Sequence, residues 1–485
     1  MRNIIIILIS AFTLISCGKR SVTDYASSPE PPVLFPDYTN ITIPCNIAPL
    51  NFEIGHASTI SVILHGKKEY QFDSRSNLLQ FPLKQWKEIL ANEKGDSLLI
   101  SIYAKTPSGK IKYRDFYWYI SPDSIDRYIS YRLIEPAYEI WNMLQISERN
   151  IENFDTRLLG DNNITDHSCM NCHTSNRAAI PTTFMHVRGP QGGTIYNKQG
   201  KLRKIDTKTE NTGGAVYGEI SQNGRFGIFT TADIIPILHS YRSERLEVFD
   251  KNSDLILIDF EKNEVTDKPC ITGKAFQETF PCFSADNRKV YFCRANSLPQ
   301  PDSTRYMRYD LYSIAFNPET GELGDSIRLV YKASDSSKSI SYPKCSPDGK
   351  YILFSVSDYG TFPIWHPETD LWMLELSTGK INKMSQTNGQ YSDSYHSWSS
   401  NSKWIAFASK RDDRVYGRPY FAHISSDGKV SKAFLLPQKN PNSYLNTLKS
   451  YNIPELYNTP ETYDVHDIQQ LYFRGEKEKF HYQKH

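Results

Sequence analysis

One pattern occurs four times between residues 216 and 409, and it limits what the chain can fold into. Each copy has an apolar or aromatic strand, a serine, a turn and a second strand with alternating apolar residues. The copies are "VYGEISQNGRFGIFTT", "TFPCFSADNRKVYFCR", "SYPKCSPDGKYILFSV" and "SYHSWSSNSKWIAFAS", and their serines lie 63, 62 and 53 residues apart. A single sheet of this kind cannot bury both of its faces alone, so sheets repeated at such a period predict a β-propeller.

The turn of the third copy, Ser346-Pro347-Asp348-Gly349-Lys350, resembles the Pro-Asp-Gly hairpin of the TolB-like propeller family. The other copies have Gln222-Asn223-Gly224, Ala285-Asp286-Asn287 and Ser400-Asn401-Ser402 in the same place. All of these residues form turns readily, so the departures weaken the family resemblance more than the predicted architecture. The resemblance covers residues 180–435. The stretch "HVRGPQGGTIYNKQGKLRKI" is interpreted as a degenerate copy, and a propeller of six blades is expected.

The predicted fold class is mainly β, with the propeller at residues 181–440. Residues 34–120 contain short alternating stretches such as "STISVILHG" and "SLLISIYAK", which indicate an antiparallel β-sandwich-like domain. Within it, "LKQWKEILANE" predicts one short helix. Residues 18–33 are rich in serine and proline and predict a tether, and residues 441–485 predict a C-terminal tail of helical and irregular character.

Residues 121–180 are predicted to form a helical connector that ends in a loop. The stretch "SPDSIDRYISYRLI" begins with Ser121 as a candidate N-cap and Pro122 at the first helical position. "AYEIWNMLQISERNIENF" continues as a second amphipathic helix. The polar stretch "LGDNNITDHSCMNCHTSNR" follows, and we expect it to be a solvent-accessible loop.

The first 17 residues have the pattern of an export signal. Arg2 precedes an apolar run that is too short to span a membrane, and Leu14-Ile15-Ser16-Cys17 resembles a bacterial lipobox. In that case Cys17 is the lipid anchor of the mature protein, and the alternatives are an ordinary cleaved signal or a buried apolar segment. No Asp follows Cys17, which by the same resemblance favours the outer membrane, with the protein facing the periplasm.

The charge of the chain excludes one class of partner. The chain has 56 basic and 54 acidic side chains among 485 residues, a formal net charge of +2. Nucleic-acid binding proteins carry a strong basic excess, so a nucleic-acid partner is not expected.

Cys169-Met170-Asn171-Cys172-His173 matches C-x-x-C-H, the attachment sequence of c-type haem. The two thiols bind the two vinyl groups of the porphyrin, and the adjacent imidazole reaches the iron. We therefore expect one haem c, held covalently by Cys169 and Cys172, with His173 as the axial iron ligand. A zinc clip requires a second Cys/His pair, which does not follow within 60 residues. A thioredoxin-like dithiol requires a βαβ context, which the predicted elements do not provide.

The sixth iron ligand has two main candidates in "TTFMHVRGPQGG", which is predicted to be a strand. Neighbouring strand residues point to opposite faces, so Met185 shares a face with Val187 and His186 with Arg188. His186 is the first candidate, Met185 the second, and Arg188 is a candidate contact for a haem propionate. An open sixth position is the alternative. His239 is a more distant candidate, while Met170 and His167 lie too close to the attachment sequence to reach the opposite side of the iron.

The whole chain resembles envelope lipoproteins described as TolB-like or cytochrome c-associated, a resemblance that implies a haem but no reaction. Three hypotheses stay open. The first is electron transfer or haem-based sensing, with the propeller docking a redox or envelope protein. The second is a binding or scaffold propeller, for a protein or a glycan, with a structural haem. The third is an enzyme, either a haem peroxidase or a propeller hydrolase, although the hydrolase motif G-x-S-x-G does not occur.

Two further groups of residues have alternative interpretations. His366 and His396 lie where a propeller face can bind ligands, but such histidines are more often structural. Five cysteines remain beside the lipobox and the haem motif: Cys45, Cys270, Cys282, Cys293 and Cys345. Cys282 and Cys293 flank a predicted hairpin, so the sequence allows either a disulfide between them or two buried thiols.

Overall fold

The structure is a computed structural model that describes residues 22–135, 143–176, 182–238 and 246–484. The described residues are mostly in β-strands, which confirms the predicted mainly β class. The predicted signal with Cys17 and the candidate ligand His239 lie outside the described residues, as do the side chains of Cys172 and Leu238. Among the helices of the described ranges, none is long and apolar enough to cross a membrane.

The N-terminal part consists of two sheets and one helix. Strands β1 to β10 are Ala26–Ser27, Leu34–Phe35, Ile41–Pro44, Phe52–Ile54, Thr59–His65, Glu69–Ser74, Leu78–Leu79, Ser97–Thr106, Gly109–Lys112 and Phe116–Ser121. Strands β2, β4 and β7 form a three-stranded sheet, and the other seven form a second sheet. Helix α1, Leu83–Asn92, confirms the predicted short helix, and its Trp86 packs edge-on against Trp118 of β10, with ring centroids 5.8 Å apart.

Six further sheets, numbered 1 to 6, make up the rest of the molecule. Strands β11 to β13 are Tyr128–Ile134, Leu144–Asn150 and Thr156–Asp161. Strands β14 to β21 are Met170–Ser175, Thr182–Val187, Gly193–Lys198, Lys201–Asp206, Gly218–Ile220, Phe226–Leu238, Leu246–Asp259 and Glu264–Thr266. Strands β22 to β29 are Phe276–Phe283, Lys289–Asn296, Asp310–Phe316, Leu323–Tyr331, Ser339–Cys345, Tyr351–Ser357, Asp370–Glu375 and Ile381–Lys383. Strands β30 to β36 are Asp393–Trp398, Trp404–Ser409, Arg418–His423, Phe434–Leu435, Ser450–Tyr457, Glu478–Lys479 and His481–Tyr482.

Each of the six sheets contains four antiparallel strands. Sheet 1 has the order β13-β12-β11-β34, so that a strand from the C-terminal part completes it. Sheets 2 to 6 begin with β14, β18, β22, β26 and β30, and each continues with the next three strands. The short strands β35 and β36 add parallel edges to sheets 2 and 3.

Successive sheets contact one another through their first strands. Strand β14 contacts β18, β18 contacts β22, β22 contacts β26, and β26 contacts β30. Strand β34 of sheet 1 contacts β30 of sheet 6, while β12 of sheet 1 contacts β14 of sheet 2. The six sheets therefore form a closed succession, and each covers a face of its neighbours.

Short helices lie between and after these strands. The α-helices α2 and α3 are Ser443–Asn446 and Val465–Arg474. The 3-10 helices are Asn162–Ile164, Thr304–Tyr306, Ala333–Ser336 and Pro363–Trp365.

The helices predicted between residues 121 and 154 are wrong, because β11 and β12 occupy Tyr128–Ile134 and Leu144–Asn150 in the described ranges. Ser121 ends β10, and its hydroxyl accepts a hydrogen bond from the backbone N–H of Asp123 in a turn (3.1 Å), not as a helix cap. The prediction failed because the pairing partner of β11 lies far away in the sequence. Strand β11 pairs with β34, more than 300 residues away, and a local pattern cannot show this pairing.

The N-terminal sheets share one core with sheet 6. Tyr38 is fully buried and donates a hydrogen bond to the carbonyl of Leu435 in β33 (3.3 Å). Trp118 and Trp404 belong to the same continuous cluster of buried apolar residues. The N-terminal part is therefore packed onto the ring of sheets and contributes to its core.

Candidate functional site

We call β34 of sheet 1 and the first strands of sheets 2 to 6 the inner strands. Most of these inner strands carry a bulge at the same place. In β14, β22, β26 and β30, two residues lie opposite one residue of the neighbouring strand. The pairing of β34 with β11 is also irregular at this point. The corresponding residue pairs of sheets 2 to 6 and of β34 are Cys172-His173, Tyr217-Gly218, Phe280-Pro281, Tyr342-Pro343, Tyr395-His396 and Ile453-Pro454.

These bulges hold bulky residues in a backbone conformation that side chains rarely adopt. The φ angles of Phe280, Tyr342, Tyr395 and Ile453 are 48°, 54°, 48° and 50°. Such residues in the left-handed region cost about 1–3 kcal/mol each and are typical of functional sites. All four line one cavity, to which every one of the six sheets contributes. The bulged inner strands therefore place these four side chains on the cavity wall at the cost of backbone strain.

Aromatic side chains form a continuous part of the cavity wall. The ring of Tyr217 stacks on Phe280, with centroids 4.5 Å apart. Phe280 packs edge-on against Tyr342 at 5.6 Å, and Tyr342 packs edge-on against Tyr395 at 5.3 Å. Phe362 closes over Tyr217 and Phe280 from the loop before a 3-10 helix. The wall offers flat apolar faces to a ligand.

The haem-attachment motif belongs to this cavity wall. We expected an exposed loop, and that expectation is wrong: β14 begins at Met170 and is the inner strand of sheet 2. Cys169 and His173 are only 8% and 9% exposed, and both line the cavity. The sequence "NCHTS" occupies the place that "SYHSW" and "SYPKC" occupy in other sheets, a similarity that was visible in the sequence but was missed. Two residues of the motif, Cys169 and His173, are thus brought together in the described part of the chain.

The imidazole of His173 has no hydrogen-bond partner among the described residues. Both of its ring nitrogens are buried and unpaired. The backbone of Ile453 approaches the ring but lacks the geometry of a hydrogen bond. Burial, together with the nearby charge of Arg132, lowers the pKa of His173 to about 3, so the imidazole is neutral at pH 7. A buried neutral imidazole with free ring nitrogens is the form that binds a metal.

Burial also raises the pKa of the Cys169 thiol, although Arg132 and Arg188 oppose this shift. The thiol is therefore protonated near neutral pH. The backbone carbonyl of Cys169 accepts a hydrogen bond from the N–H of Arg188 (2.9 Å), which joins the start of the motif to the "HVRGPQGG" segment. Arg188 lines the same cavity.

Four cationic side chains line the cavity: Arg132, Arg188, Lys344 and Lys410. Arg132 is buried, and its Nε and Nη1 atoms have no hydrogen-bond partner in the described part of the structure. One carboxylate, that of Glu135, lines the cavity with them. The sequence does not indicate Arg132, Lys344 or Lys410 as site residues, because only the closed ring of sheets brings them together. The electrostatics of the cavity favour an anionic ligand.

The two candidate sixth ligands are not among the side chains that line the cavity. Met185 is buried beside Val187, as the strand alternation predicts, in a core cluster that also contains Cys169. His186 lies with Arg188 in a neighbouring groove, and its Nδ1 is 3.1 Å from the hydroxyl of Thr194. Burial and the charge of Arg188 lower the pKa of His186 to about 4. Neither side chain lines the cavity that contains His173.

The remaining cysteines of the described residues are free thiols. Cys282 and Cys293 are fully buried and form no disulfide, which agrees with the buried-thiol alternative. Cys45 and Cys270 are half-buried, and Cys345 is buried. No group of three or more His, Cys, Asp or Glu side chains suited to a metal ion occurs among the described residues.

Comparison with known proteins gives no assignment by sequence. No protein-family model matches the chain, and no curated protein matches it. The chain is similar in structure to a puromycin-hydrolysing peptidase of Mycobacterium tuberculosis, with a TM-score of 0.32 and 13% identity over 56% of this chain and 38% of that one. It is also similar to a periplasmic gluconolactonase of Pseudomonas aeruginosa, with a TM-score of 0.35 and 12% identity over 68% of this chain and 100% of that one.

A protein of the DUF4784 family from Bacteroides caccae is similar over 72% of this chain and 94% of its own, with a TM-score of 0.29 and 9% identity. The chain spans little more than a third of the mycobacterial peptidase, at 38% of its length. At TM-scores below 0.5 these likenesses carry no argument about activity. The interpretation of the site therefore rests on its own residues.

Proposed function

We propose that the protein is a lipid-anchored envelope protein with one covalently bound haem c in the centre of a six-bladed, TolB-like β-propeller. The six sheets of four antiparallel strands, which contact one another in a closed succession, support the six blades. Strand β34 then joins the C-terminal part to the first blade, a closure typical of propellers. The N-terminal sheets form the predicted sandwich-like domain beside the sixth blade.

One observation carries the haem proposal. His173 of the C-x-x-C-H sequence has two buried, unpaired ring nitrogens and lines a cavity with aromatic walls and four cationic side chains. A buried polar group without a partner is costly, so such groups are rare unless a ligand satisfies them. The donor set fits a haem: Cys169 and Cys172 would hold it through thioether links, His173 would bind the iron, and Arg132 and Arg188 would contact the two propionates.

Bound haem supplies an iron that changes oxidation state and binds small ligands. The residues of this chain would hold the haem and would exclude water with the aromatic wall, and burial keeps the imidazole of His173 neutral. Since Met185 and His186 lie outside the cavity, we propose that neither is the sixth ligand, and that haem-based sensing of a ligand is favoured over simple electron transfer. The propeller then docks the protein partner that receives the signal.

Haem staining of a denaturing gel tests the proposal, using protein expressed with a cytochrome maturation system. We expect the mature chain to stain, and Cys169→Ser, Cys172→Ser and the double variant to lose the stain. Cys45→Ser, which removes a half-buried thiol outside the motif, is the matched control and should stain fully. A colourless wild-type chain from a competent periplasm would overturn the haem.

Absorption spectra of the reduced protein test the open sixth position. We expect a high-spin ferrous spectrum that changes at once on addition of carbon monoxide, in the wild type and equally in Met185→Leu and His186→Gln. A low-spin spectrum that becomes high-spin in only one of these variants would instead identify that residue as the sixth ligand.

The lipid anchor is tested separately. We expect the mature protein in the outer-membrane fraction, with an acylated Cys17 at its N-terminus in mass spectrometry, and release of the Cys17→Ser variant from that fraction. A wild-type N-terminus without acyl chains would contradict the anchor and leave the haem proposal unaffected.

A second candidate is a binding propeller without haem. The observation that favours it is that Cys172-His173 occupies a repeated position that holds an aromatic or apolar residue followed by Gly, Pro or His in the other sheets. In that case the motif is one more part of the cavity wall. A wild-type chain that does not stain but still binds a ligand in the cavity would support this candidate.

A further inference from the structure

Two lysines lie on the part of the cavity wall that sheets 5 and 6 form. Lys344 belongs to β26 and is 9% exposed, and Lys410 directly follows β31. The Nζ atom of Lys344 lies 5.1 Å from the ring centroid of Tyr342. The Nζ atom of Lys410 lies 4.8 Å from that of Trp365. All four side chains line the cavity.

Neither ammonium group is paired with a carboxylate. Within the described ranges, no carboxylate oxygen lies within 4.0 Å of either Nζ atom, and neither Nζ donates a hydrogen bond. The charge of Lys344 acts to lower the pKa of Glu455, and the charge of Asp413 acts to raise the pKa of Lys410, in both cases without a hydrogen bond between the two groups. Contact with an aromatic face offsets part of the cost of burial but supplies no hydrogen-bond acceptor.

Glu455 cannot neutralise Lys344 well, because its carboxylate has other partners. It accepts hydrogen bonds from the hydroxyl of Thr174 (3.2 Å) and the backbone N–H of Ser175 (2.9 Å). Burial raises the pKa of Glu455 to about 7, so the carboxyl group is partly protonated at neutral pH. Burial lowers the pKa of Lys410 to about 8, which leaves most of this lysine charged at pH 7. The wall therefore keeps positive charge that the protein itself does not compensate.

We propose that the cavity binds an organic anion whose carboxylate or sulfonate group accepts hydrogen bonds from Lys344 and Lys410 and whose flat body packs between Tyr342 and Trp365. A flat anion satisfies both features of this wall, the unpaired ammonium groups and the aromatic rings that line the cavity. An inorganic anion satisfies only the first, and a neutral aromatic molecule only the second. This site goes beyond the haem proposal, because neither lysine is among the residues assigned to hold the haem.

Fluorescence titration with anilinonaphthalene sulfonate tests the site, with the uncharged analogue phenylnaphthylamine as the matched probe. We expect one sulfonate molecule per chain, and about tenfold weaker binding in Lys344→Met or Lys410→Met, since one charge-assisted hydrogen bond is lost. Lys410→Arg keeps the charge and should keep most of the affinity. Lys429→Met changes a lysine on the outer surface and should have no effect.

The neutral probe separates a charge effect from loss of the fold. Its affinity should be the same in wild type and in both methionine variants, and salt should weaken only the binding of the sulfonate. Unchanged sulfonate affinity in both variants would overturn the site, as would an equal loss for both probes that Lys410→Arg does not rescue. The titration is performed on the full mature chain whose haem content has been measured. A colourless chain that shows the lysine-dependent binding would overturn the haem and retain the anion site.

Discussion

At the scale of single residues, two buried histidines show how different surroundings shift the pKa of an imidazole in opposite directions. His173 has no hydrogen-bond partner among the described residues, and burial together with the charge of Arg132 lowers its pKa to about 3. His366 is 2% exposed and lies between two carboxylates, with Nε2 3.2 Å from Glu247 and Nδ1 3.5 Å from Glu368. Burial alone would lower the pKa of His366, but the two carboxylates outweigh it and raise the pKa to about 9.

This ion triad joins distant parts of the ring. Glu247 lies in β20 of sheet 3, whereas His366 and Glu368 follow a 3-10 helix of sheet 5. Tyr359 also donates a hydrogen bond to Glu247 (3.0 Å). One of the two partners of His366, Glu247, thus lies 119 residues away in the chain. The sequence therefore favoured a structural role for His366 without showing this partner.

The stability of the protein should depend on the protonation of His366. Because its folded-state pKa exceeds the unfolded value of 6.5, its contribution is complete below pH 6.5 and is lost as the pH rises through about 9. His366→Gln should lower the free energy of unfolding by roughly 3 kcal/mol near pH 6, and by less above pH 9. Urea denaturation at several pH values measures the difference.

His481→Gln is the control for that series, because His481 is exposed at the C-terminal end. It should not change the free energy of unfolding by more than about 0.5 kcal/mol at any pH. A difference between wild type and His366→Gln that does not vary with pH would contradict a charged His366.

At the scale of elements, helix α3 contacts the segment that leads into the C-x-x-C-H motif. The hydroxyls of Tyr472 and Ser168 are 2.9 Å apart, and Ser168 directly precedes Cys169. Lys204 of β17 donates a hydrogen bond to the carbonyl of Tyr472 (2.7 Å). The capping box at Asp464 and Asp467 fixes the start of this helix. A segment of the predicted tail therefore positions the strand that carries the motif.

Gly189 makes this contact possible. Its φ angle is 98°, and a Cβ atom there would lie 2.8 Å from the hydroxyl oxygen of Tyr472 and still closer to that of Ser168. Gly189→Ala should therefore destabilise the protein by strain and by the clash, about 1–3 kcal/mol more than strain alone. Urea unfolding followed by circular dichroism measures this difference.

Substitutions at two other glycines separate the effect of backbone strain on stability from the effect of the clash. Gly379 has a φ angle of 72° and nothing within 4 Å of a Cβ, so Gly379→Ala reports strain alone. Gly55 has neither a positive φ nor a close neighbour, so Gly55→Ala should be nearly neutral. Equal effects of Gly189→Ala and Gly379→Ala would show that α3 does not press on the motif strand.

At the scale of the whole molecule, β34 holds the ring together. It is the inner strand of sheet 1, pairs with β11 and contacts β30 of sheet 6. Its Glu455 also binds β14 through Thr174 and Ser175. One strand from the C-terminal part thus connects sheets 1, 2 and 6.

A chain that ends at residue 447 should therefore lose its cooperative thermal unfolding, because it lacks β34. A chain that ends at residue 475 keeps β34 and α3 and loses only the short edges β35 and β36, so it should retain a single transition. Thermal melts of the two chains measure this. Cooperative unfolding of the shorter chain would show that the ring does not depend on this strand.

Several features could be predicted from the sequence because they depend on neighbouring residues. The turns and alternating strands of the four copies predicted the mainly β class, and "LKQWKEILANE" predicted α1. Strand alternation correctly placed Met185 with Val187 and His186 with Arg188. The connector was misread because β11 pairs with a strand far along the chain. The motif was misread because its polar neighbours suggested a loop, although "NCHTS" follows the pattern of the inner strands.

The sequence by itself determined the residues that can do chemistry in this protein: a C-x-x-C-H motif and a repeated strand with an aromatic or apolar residue at its bulge. Only the tertiary structure decided what surrounds them. Closing six sheets into a ring brought Arg132, Lys344 and Lys410, which are far apart in the chain, to the wall that contains His173. Side-chain chemistry is a local property of the chain, whereas burial and the distances between charges depend on contacts between distant segments, and those exist only after folding.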